Sequence, residues 1–237
     1  MISKLKYIIP IALVLGTLSC RKEFLDINAD PNNPIDAPVS LLLTGAERAL
    51  GDALAMGGGN NGGLSQILEV YVHRITTREE ADQYGTIGND FFLNFAWPKF
   101  YAATPPPGAN SPLSGILQNL EEIISKSNKD GNPYYRGISK IMKAYTYSQL
   151  VDVFGDVPFS EANKLADSAA PVIYPKFDDD AAIYPQLFIL LDEAIVDLSK
   201  PEGDNLLLPK DNDVIFKGDA AKWIKAANTI KLKLYTQ

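Results

Sequence analysis

Asp130-Gly131-Asn132-Pro133-Tyr134-Tyr135-Arg136-Gly137-Ile138-Ser139-Lys140-Ile141-Met142-Lys143-Ala144-Tyr145 is a turn that hands on to a helix. Asp130-Gly131-Asn132-Pro133 is turn-forming and lies between two helical candidates, so the stretch is the centre of a helical hairpin. Upstream, the spacing predicts a helix over Leu113 to Lys126, with Ile116, Leu120, Ile123 and Ile124 on one face. Downstream it predicts Tyr134 to Phe154, with Ile138, Ile141, Met142, Tyr145 and Leu150 as the answering stripe.

The pattern then repeats. Helices are predicted over Ala181 to Leu198 and Ala220 to Tyr235, joined through Pro201 to Gly218. Leu187, Leu190, Leu191, Ala194 and Leu198 oppose Trp223, Ala226, Ala227, Ile230 and Leu234. Two such units predict an all-α fold of tetratricopeptide-like helix pairs at about 113–154 and 181–235, in which each pair buries its apolar face by stacking on the next. Roughly three repeats are usually needed to close such a core, so another element has to complete it. Val39 to Met56, with Leu42, Leu43, Ala46, Leu50, Ala53 and Leu54 at helical spacing, and a short helix from Leu64 to Val72 are the available pieces. Residues 73–90 read as an exposed connection, and the prolines of Thr104 to Pro112 break any helix there.

At the other end, Met1 to Tyr7 carries Lys4 and Lys6 and no acid, and Ile8 to Leu18 is apolar. This run fits the roughly 7–15 residues of a signal h-region and is shorter than the about 20 needed to span a bilayer. It stops at Thr17-Leu18-Ser19-Cys20, where a small residue before cysteine resembles the bacterial lipobox, although Thr17 stands where leucine is usual. The alternative is an ordinary cleaved signal with a leftover cysteine. Cys20 is the chain's single cysteine, and its place at the end of the h-region favours lipid attachment. The expected organisation is a signal peptide over 1–19, a lipid-anchored tether over 20–38, and a helical domain over 39–237.

Composition narrows the chemistry. The chain has 237 residues, 46% of them hydrophobic, and a formal charge of −7. Loss of residues 1–19 leaves 20 basic against 29 acidic side chains, or −9, a surface that repels phosphate backbones and argues against nucleic acid as a partner. One cysteine and one histidine, His73, exclude internal disulfides, CxxC redox chemistry and zinc clusters. Gly57-Gly58-Gly59-Asn60-Asn61-Gly62 has the letters of a dinucleotide fingerprint but follows a helix rather than a strand, so it reads as a loop. Glu69 and His73 are four apart and would share a helix face. Asp178-Asp179-Asp180 and Asp219 precede helices, where capping and the helix dipole account for them, and Asp211-Asn212-Asp213 lacks the glycine and distal glutamate of a calcium loop. No nucleophile elbow, zinc-helix motif or glycosidase-like acid pair stands out, so no catalytic residue, metal or cofactor is assigned.

Three further blocks carry a resemblance. They are Tyr135 to Tyr145 running into Gln149-Leu150-Val151-Asp152-Val153-Phe154-Gly155-Asp156-Val157-Pro158-Phe159-Ser160-Glu161-Ala162; Pro175-Lys176-Phe177-Asp178 leading to Ile183-Tyr184 and Leu191-Asp192-Glu193-Ala194; and Asp213 to Asp219 with Lys222-Trp223-Ile224-Lys225-Ala226-Ala227-Asn228. Together they resemble the SusD/RagB family of outer-membrane nutrient-binding lipoproteins of Bacteroidetes. The resemblance implies a SusD-like α-helical fold, here incomplete, and a lipid anchor at Cys20. It also implies a TonB-dependent SusC-like transporter as partner and an oligosaccharide or peptide as ligand. Family members run much longer, so this sequence is expected to be a fragment, a truncated product or half of a split frame. The proline-rich break at 104–112 also departs from the family, which keeps that region helical after Trp97 and Tyr101. Asp152, Gly155, Asp156 and Pro158 read as a helix stop and turn, and Trp223 and Asn228 fall at buried or helix-bridging spacing.

Protein sites for sugars combine aromatic faces with amides and arginines that bond hydroxyls, which makes Tyr71, Arg74, Tyr84, Asn89 and Trp97 the substrate-binding candidates. The alternatives to capture are a scaffold for the transporter with no ligand of its own, and a surface glycosidase. If the anchor is right, the mature chain begins at Cys20 and carries acyl chains there. Intact-mass spectrometry should find that added mass, and Cys20→Ala should move the protein from the membrane fraction to the soluble one.

Overall fold

The structure, a computed structural model, describes residues 37–55, 63–75, 97–101, 115–164 and 172–237. Six α-helices are named among them: α1 Val39–Leu54, α2 Leu64–Tyr71, α3 Ile116–Asp130, α4 Pro133–Phe154, α5 Asp180–Leu198 and α6 Ala220–Tyr235. A helical turn over 97–101 and a 3-10 turn at Glu202–Asp204 complete the set. The described residues contain no named strand, only one antiparallel bridge between Val157 and Asp178. The fold is all-α, and none of these helices is long and apolar enough to cross a membrane.

α3 and α4 form the first hairpin and α5 and α6 the second, and the hairpins stack chiefly through α4 on α5. α1 lies against α3 and touches α4. It is the element that completes the core, through buried Val39, Leu43, Ala46, Leu50 and Ala53. α4 is therefore enclosed by α1, α3, α5 and α6, and its buried residues run around the helix: Tyr134, Tyr135, Ile138, Ile141, Met142, Ala144, Tyr147, Leu150 and Val151 among them.

Close approach needs small residues. Gly137 lies where α4 meets α5, and a Cβ built there would sit 2.8 Å from Leu198 Cγ and 3.0 Å from the Ala194 carbonyl oxygen. Two buried hydroxyls on α4 are bonded locally: Thr146 Oγ1 donates to the Met142 carbonyl at 2.7 Å and Ser148 Oγ to that of Tyr145 at 2.8 Å.

Polar contacts set the register. Arg136 donates through Nε to Asp197 Oδ2 at 2.8 Å, through Nη2 to Oδ1, and through Nη1 to Asn128 at 2.9 Å, joining α3, α4 and α5. Lys140 adds a third donor to Asp197 at 3.2 Å. Burial alone would raise the Asp197 pKa, yet these cations hold it below the usual carboxylate range. Asp152 accepts from the Tyr184 hydroxyl on α5, from Lys233 on α6 and from Gln237 just beyond it. It ties helix ends together, in addition to preceding the α4 stop at Gly155.

The ends follow the sequence rules. α3 runs four residues beyond the expected Lys126 and stops at Gly131, whose φ of 70° is the left-handed conformation that glycine adopts without strain. Pro133 opens α4. Asp179 and Asp219 cap α5 and α6 by accepting from Ala182 N–H and Lys222 N–H at 3.1 and 3.0 Å. The 199–219 connection does more than turn the chain. Leu206 N–H donates to the Gly131 carbonyl, Leu207 N–H to Asn132 Oδ1 and Tyr134 N–H to Asn205 Oδ1, so it clamps the first hairpin's turn. Asn228, expected to bridge helices, instead donates to the Ile224 carbonyl of its own helix.

Adding a methyl at Gly137 gains helix propensity of about 1 kcal/mol but forces α4 and α5 apart, a strain of about 1–3 kcal/mol against a backbone oxygen and a branched carbon that cannot swing clear. Gly137→Ala should lower the melting temperature and Gly137→Val should lower it further, read by thermal unfolding followed by circular dichroism.

Candidate functional site

The aromatic residues gather at the C-terminal end of α4. Beyond Phe154, Gly155 turns the chain, and Val157 bridges to Asp178, with N–H to carbonyl distances of 3.3 and 3.0 Å. The Asp178 carboxylate then holds the next stretch. It accepts from Phe159 N–H at 3.1 Å, Ser160 N–H at 2.7 Å and Ser160 Oγ at 2.9 Å, with Lys176 Nζ at 3.2 Å. Burial opposes ionisation here, but these donors outweigh it and pull the Asp178 pKa down to about 2.

Trp97 lies beside this turn, ringed by Tyr101 at 4.9 Å, Phe154 edge-on at 5.1 Å and Phe177 stacked at 6.1 Å with only 12° between planes. Tyr101 donates to the Pro158 carbonyl at 2.8 Å and meets Tyr147, which packs on Phe159 at 4.7 Å. Burial pushes the Tyr101 and Tyr147 hydroxyls well up, so both are neutral donors at any ordinary pH. Lys143 sits 5.8 Å from the Phe159 ring centroid. The cluster thus grades from a buried base at Tyr147 to an open rim, where Phe177 is 63% exposed.

Of the expected binding residues, Tyr71, Arg74 and Trp97 lie among the described residues. Tyr84 and Asn89 lie outside the described residues, as do Cys20 and the 57–62 glycine run. Tyr71 is exposed at the end of α2, and Arg74 pairs with Glu69 at 3.0 Å. No hydrogen bond or ring contact joins either to Trp97 among the described residues. Trp97 itself is half-buried and hemmed in by three rings, so the open ring of the cluster is Phe177. Sequence reasoning passed over Phe177 and Tyr174, although Tyr174-Pro175-Lys176-Phe177, two aromatics around a proline ahead of a capped helix, was the signal available. Glu69 and His73 do not share a helix face: α2 ends at Tyr71, and His73 has left-handed φ of 59°.

Asp156, Asp179 and Asp180 bring carboxylate oxygens within 4.8 Å of one another, all exposed. Asp179 accepts the α5 cap bond and Asp156 accepts Asp180 N–H at 3.1 Å, so backbone donors use two of the three. The trio reads as stabilisation of a helix start.

The SusD-like family described as "Starch-binding associating with outer membrane" matches residues 31–236. Among solved structures, a SusD/RagB family protein from Bacteroides thetaiotaomicron is 24% identical with a TM-score of 0.63, over 83% of this chain and 37% of its own. A chitin-binding protein is 26% identical, also at 0.63, over 83% and 38%. A SusD homologue from Bacteroides fragilis is 22% identical at 0.52, over 84% and 35%. The chain therefore spans little more than a third of the length of these structures. Among curated proteins none matches it.

Replacing Asp178 by Ala removes the acceptor for two backbone N–H groups and a hydroxyl, at a cost of about 1–3 kcal/mol. Because folding depresses this group's pKa, its contribution is present above its ordinary value of 3.8 and is lost as pH falls through about 2. Acid titration of stability should show that part of the low-pH loss flattened in Asp178→Asn.

Proposed function

The chain belongs to the SusD-like family of outer-membrane-associated, starch-binding proteins, and from that premise we propose that it is a non-catalytic lipoprotein that captures glycans at the cell envelope. On this reading Cys20 carries the lipid, and captured oligosaccharide passes to a TonB-dependent SusC-like transporter. A peptide ligand is the variant of the same reading.

The observation that carries it is the graded aromatic cluster, with Phe177 open at its rim and Trp97 stacked beneath it. Sugar rings present apolar C–H faces that stack on aromatic rings, while their hydroxyls need donors and acceptors at the edge. Lys176, exposed next to Phe177 in the chain, supplies such a group. The chitin-binding protein among the structural relatives, at 26% identity, supports a polysaccharide fragment as the ligand class. In favour of no catalysis, Asp152, Asp178 and Asp197 are engaged by helix ends, backbone N–H groups or cations rather than left free to move a proton.

A second reading is favoured by one observation. Among the described residues Tyr71 and Arg74 make no hydrogen bond or ring contact with the cluster and Arg74 is paired with Glu69, which suits a scaffold surface without a ligand of its own.

Calorimetric titration with chito-oligosaccharides, malto-oligosaccharides and peptides separates the two. Capture predicts binding to one class, weakened in Phe177→Ala by about 1 kcal/mol, roughly fivefold in Kd. No binding by the folded protein, together with co-purification of the transporter, would establish the scaffold.

A further inference from the structure

Glu47 on α1 and Asp213 in the 209–219 segment are two buried acids facing each other, 5% and 0% exposed. Their surroundings are unequal. Asp213 Oδ1 accepts from Ile215 N–H at 2.9 Å and Phe216 N–H at 3.0 Å, and Oδ2 from Gly218 N–H and the Trp223 indole N–H, both at 2.7 Å. Four donors on two oxygens demand a carboxylate. Glu47 Oε2 accepts from Val214 N–H at 2.7 Å, whereas the buried Oε1 meets no donor among the described residues. An ionised Glu47 would place a second charge against Asp213 with one oxygen unsolvated, which a buried site does not sustain.

We propose that Glu47 and Asp213 share one proton and form a latch fastening α1 to the 209–219 segment, so that opening of this contact releases that proton to water. In the closed state the Glu47 carboxyl donates from Oε1 to Asp213 and accepts from Val214 through Oε2. Opening exposes Glu47, which ionises, and the two carboxylates then repel. Thr44 Oγ1, donating to the Asn212 carbonyl at 2.6 Å, and Asn212 Nδ2, donating to the Tyr135 hydroxyl at 2.9 Å, bind the same segment to α1 and α4 without titrating near neutral pH. The segment cannot simply adjust: Gly218 has φ of 77°, and a Cβ there would fall 1.8 Å from the Pro209 carbonyl oxygen.

The charged neighbours leave Glu47 to Asp213. Lys217, exposed on the same segment, favours ionisation of Glu47 but is outweighed by burial, with Asp213 adding to the rise, and the Glu47 pKa is pushed up to about 8. The Tyr135 hydroxyl on α4 is raised by burial and stays neutral. On α1 Arg48 pairs with Asp52; on α3 Glu121 and Glu122 are met by Lys143 and Lys126; on α2 Glu69 is met by Arg74. Asp213 itself is held low because the Trp223, Phe216 and Gly218 donors outweigh its burial.

The sign follows. Folding raises the Glu47 pKa from its ordinary 4.5 to about 8, so the stability it contributes is complete below pH 4.5 and is lost as pH rises through 8. Local opening should therefore become about tenfold more frequent per pH unit across that window and level off above it. Hydrogen exchange on the full chain, corrected for intrinsic rates, tests this by comparing residues 39–54 and 212–219 with the middle of α4. Glu47→Gln keeps the Val214 acceptor and donates an amide to Asp213 with nothing to titrate, so its opening should not vary with pH. A pH-independent opening in the unaltered chain overturns the latch whether or not the variant folds, as does a variant that opens with the same slope. A protonated-carboxyl infrared band at pH 7 that vanishes in Glu47→Gln is expected, and its absence from the unaltered chain counts against the shared proton.

Discussion

The structure depends on enclosing α4. Its 22 residues bury side chains around most of the helix, and a helix buried on most sides has no place on the surface of a domain. One partner covers a stripe, so four are needed, and α1, α3, α5 and α6 provide them. Enclosure explains the composition of α4 better than propensity does. Gly137 costs helix stability of about 1 kcal/mol relative to alanine, yet its replacement would drive a carbon into Leu198 and Ala194. Steric contact wins over propensity because packed interiors have no slack at the scale of a methyl group.

Enclosure also decides which polar contacts matter. The Arg48–Asp52 pair on α1 is 4.0 Å apart and mostly exposed, so solvent screening leaves it worth between nothing and about 1 kcal/mol. Asp197 is 4% exposed and meets Arg136 and Lys140 between the two hairpins. Removing one partner there would strand a buried charge, which is the expensive direction. Asp152, Asp178, Asp197 and Asp213 each stand where elements join and each gathers several donors. These four acids act as joints of the fold.

Local rules were legible in the residues. The two hairpins, the turn at Asp130 to Pro133 and the Asp179 and Asp219 caps depend on neighbours in sequence, and they appear within a few residues of where spacing puts them. Contacts across long separations were not. Asp213 read only as part of a triplet lacking the marks of a calcium loop; its four donors are supplied by a turn whose closure depends on Gly218 and on Trp223 of the next helix. Trp97 was legible as an aromatic of interest, but whether its face is open or covered is decided by Phe177, eighty residues away in the chain. His73 failed because a spacing of four means a shared face only while the helix lasts, and α2 ends two residues earlier.

A binding surface of this kind has to be stiff before the ligand arrives. Each ring-on-sugar contact is weak, and ordering several side chains at the moment of binding costs about 0.5–1.5 kcal/mol apiece, enough to cancel it. Here the cost is met in folding. Trp97 is fixed by Tyr101 and Phe154, Tyr101 by the Pro158 carbonyl, and Phe177 adjoins Asp178, whose carboxylate is occupied by the opposing turn. The cluster stands at the C-terminal end of the most enclosed helix, with Tyr147 buried at its base and Phe177 exposed at its rim, and ring contacts through Tyr101 and Trp97 join the two.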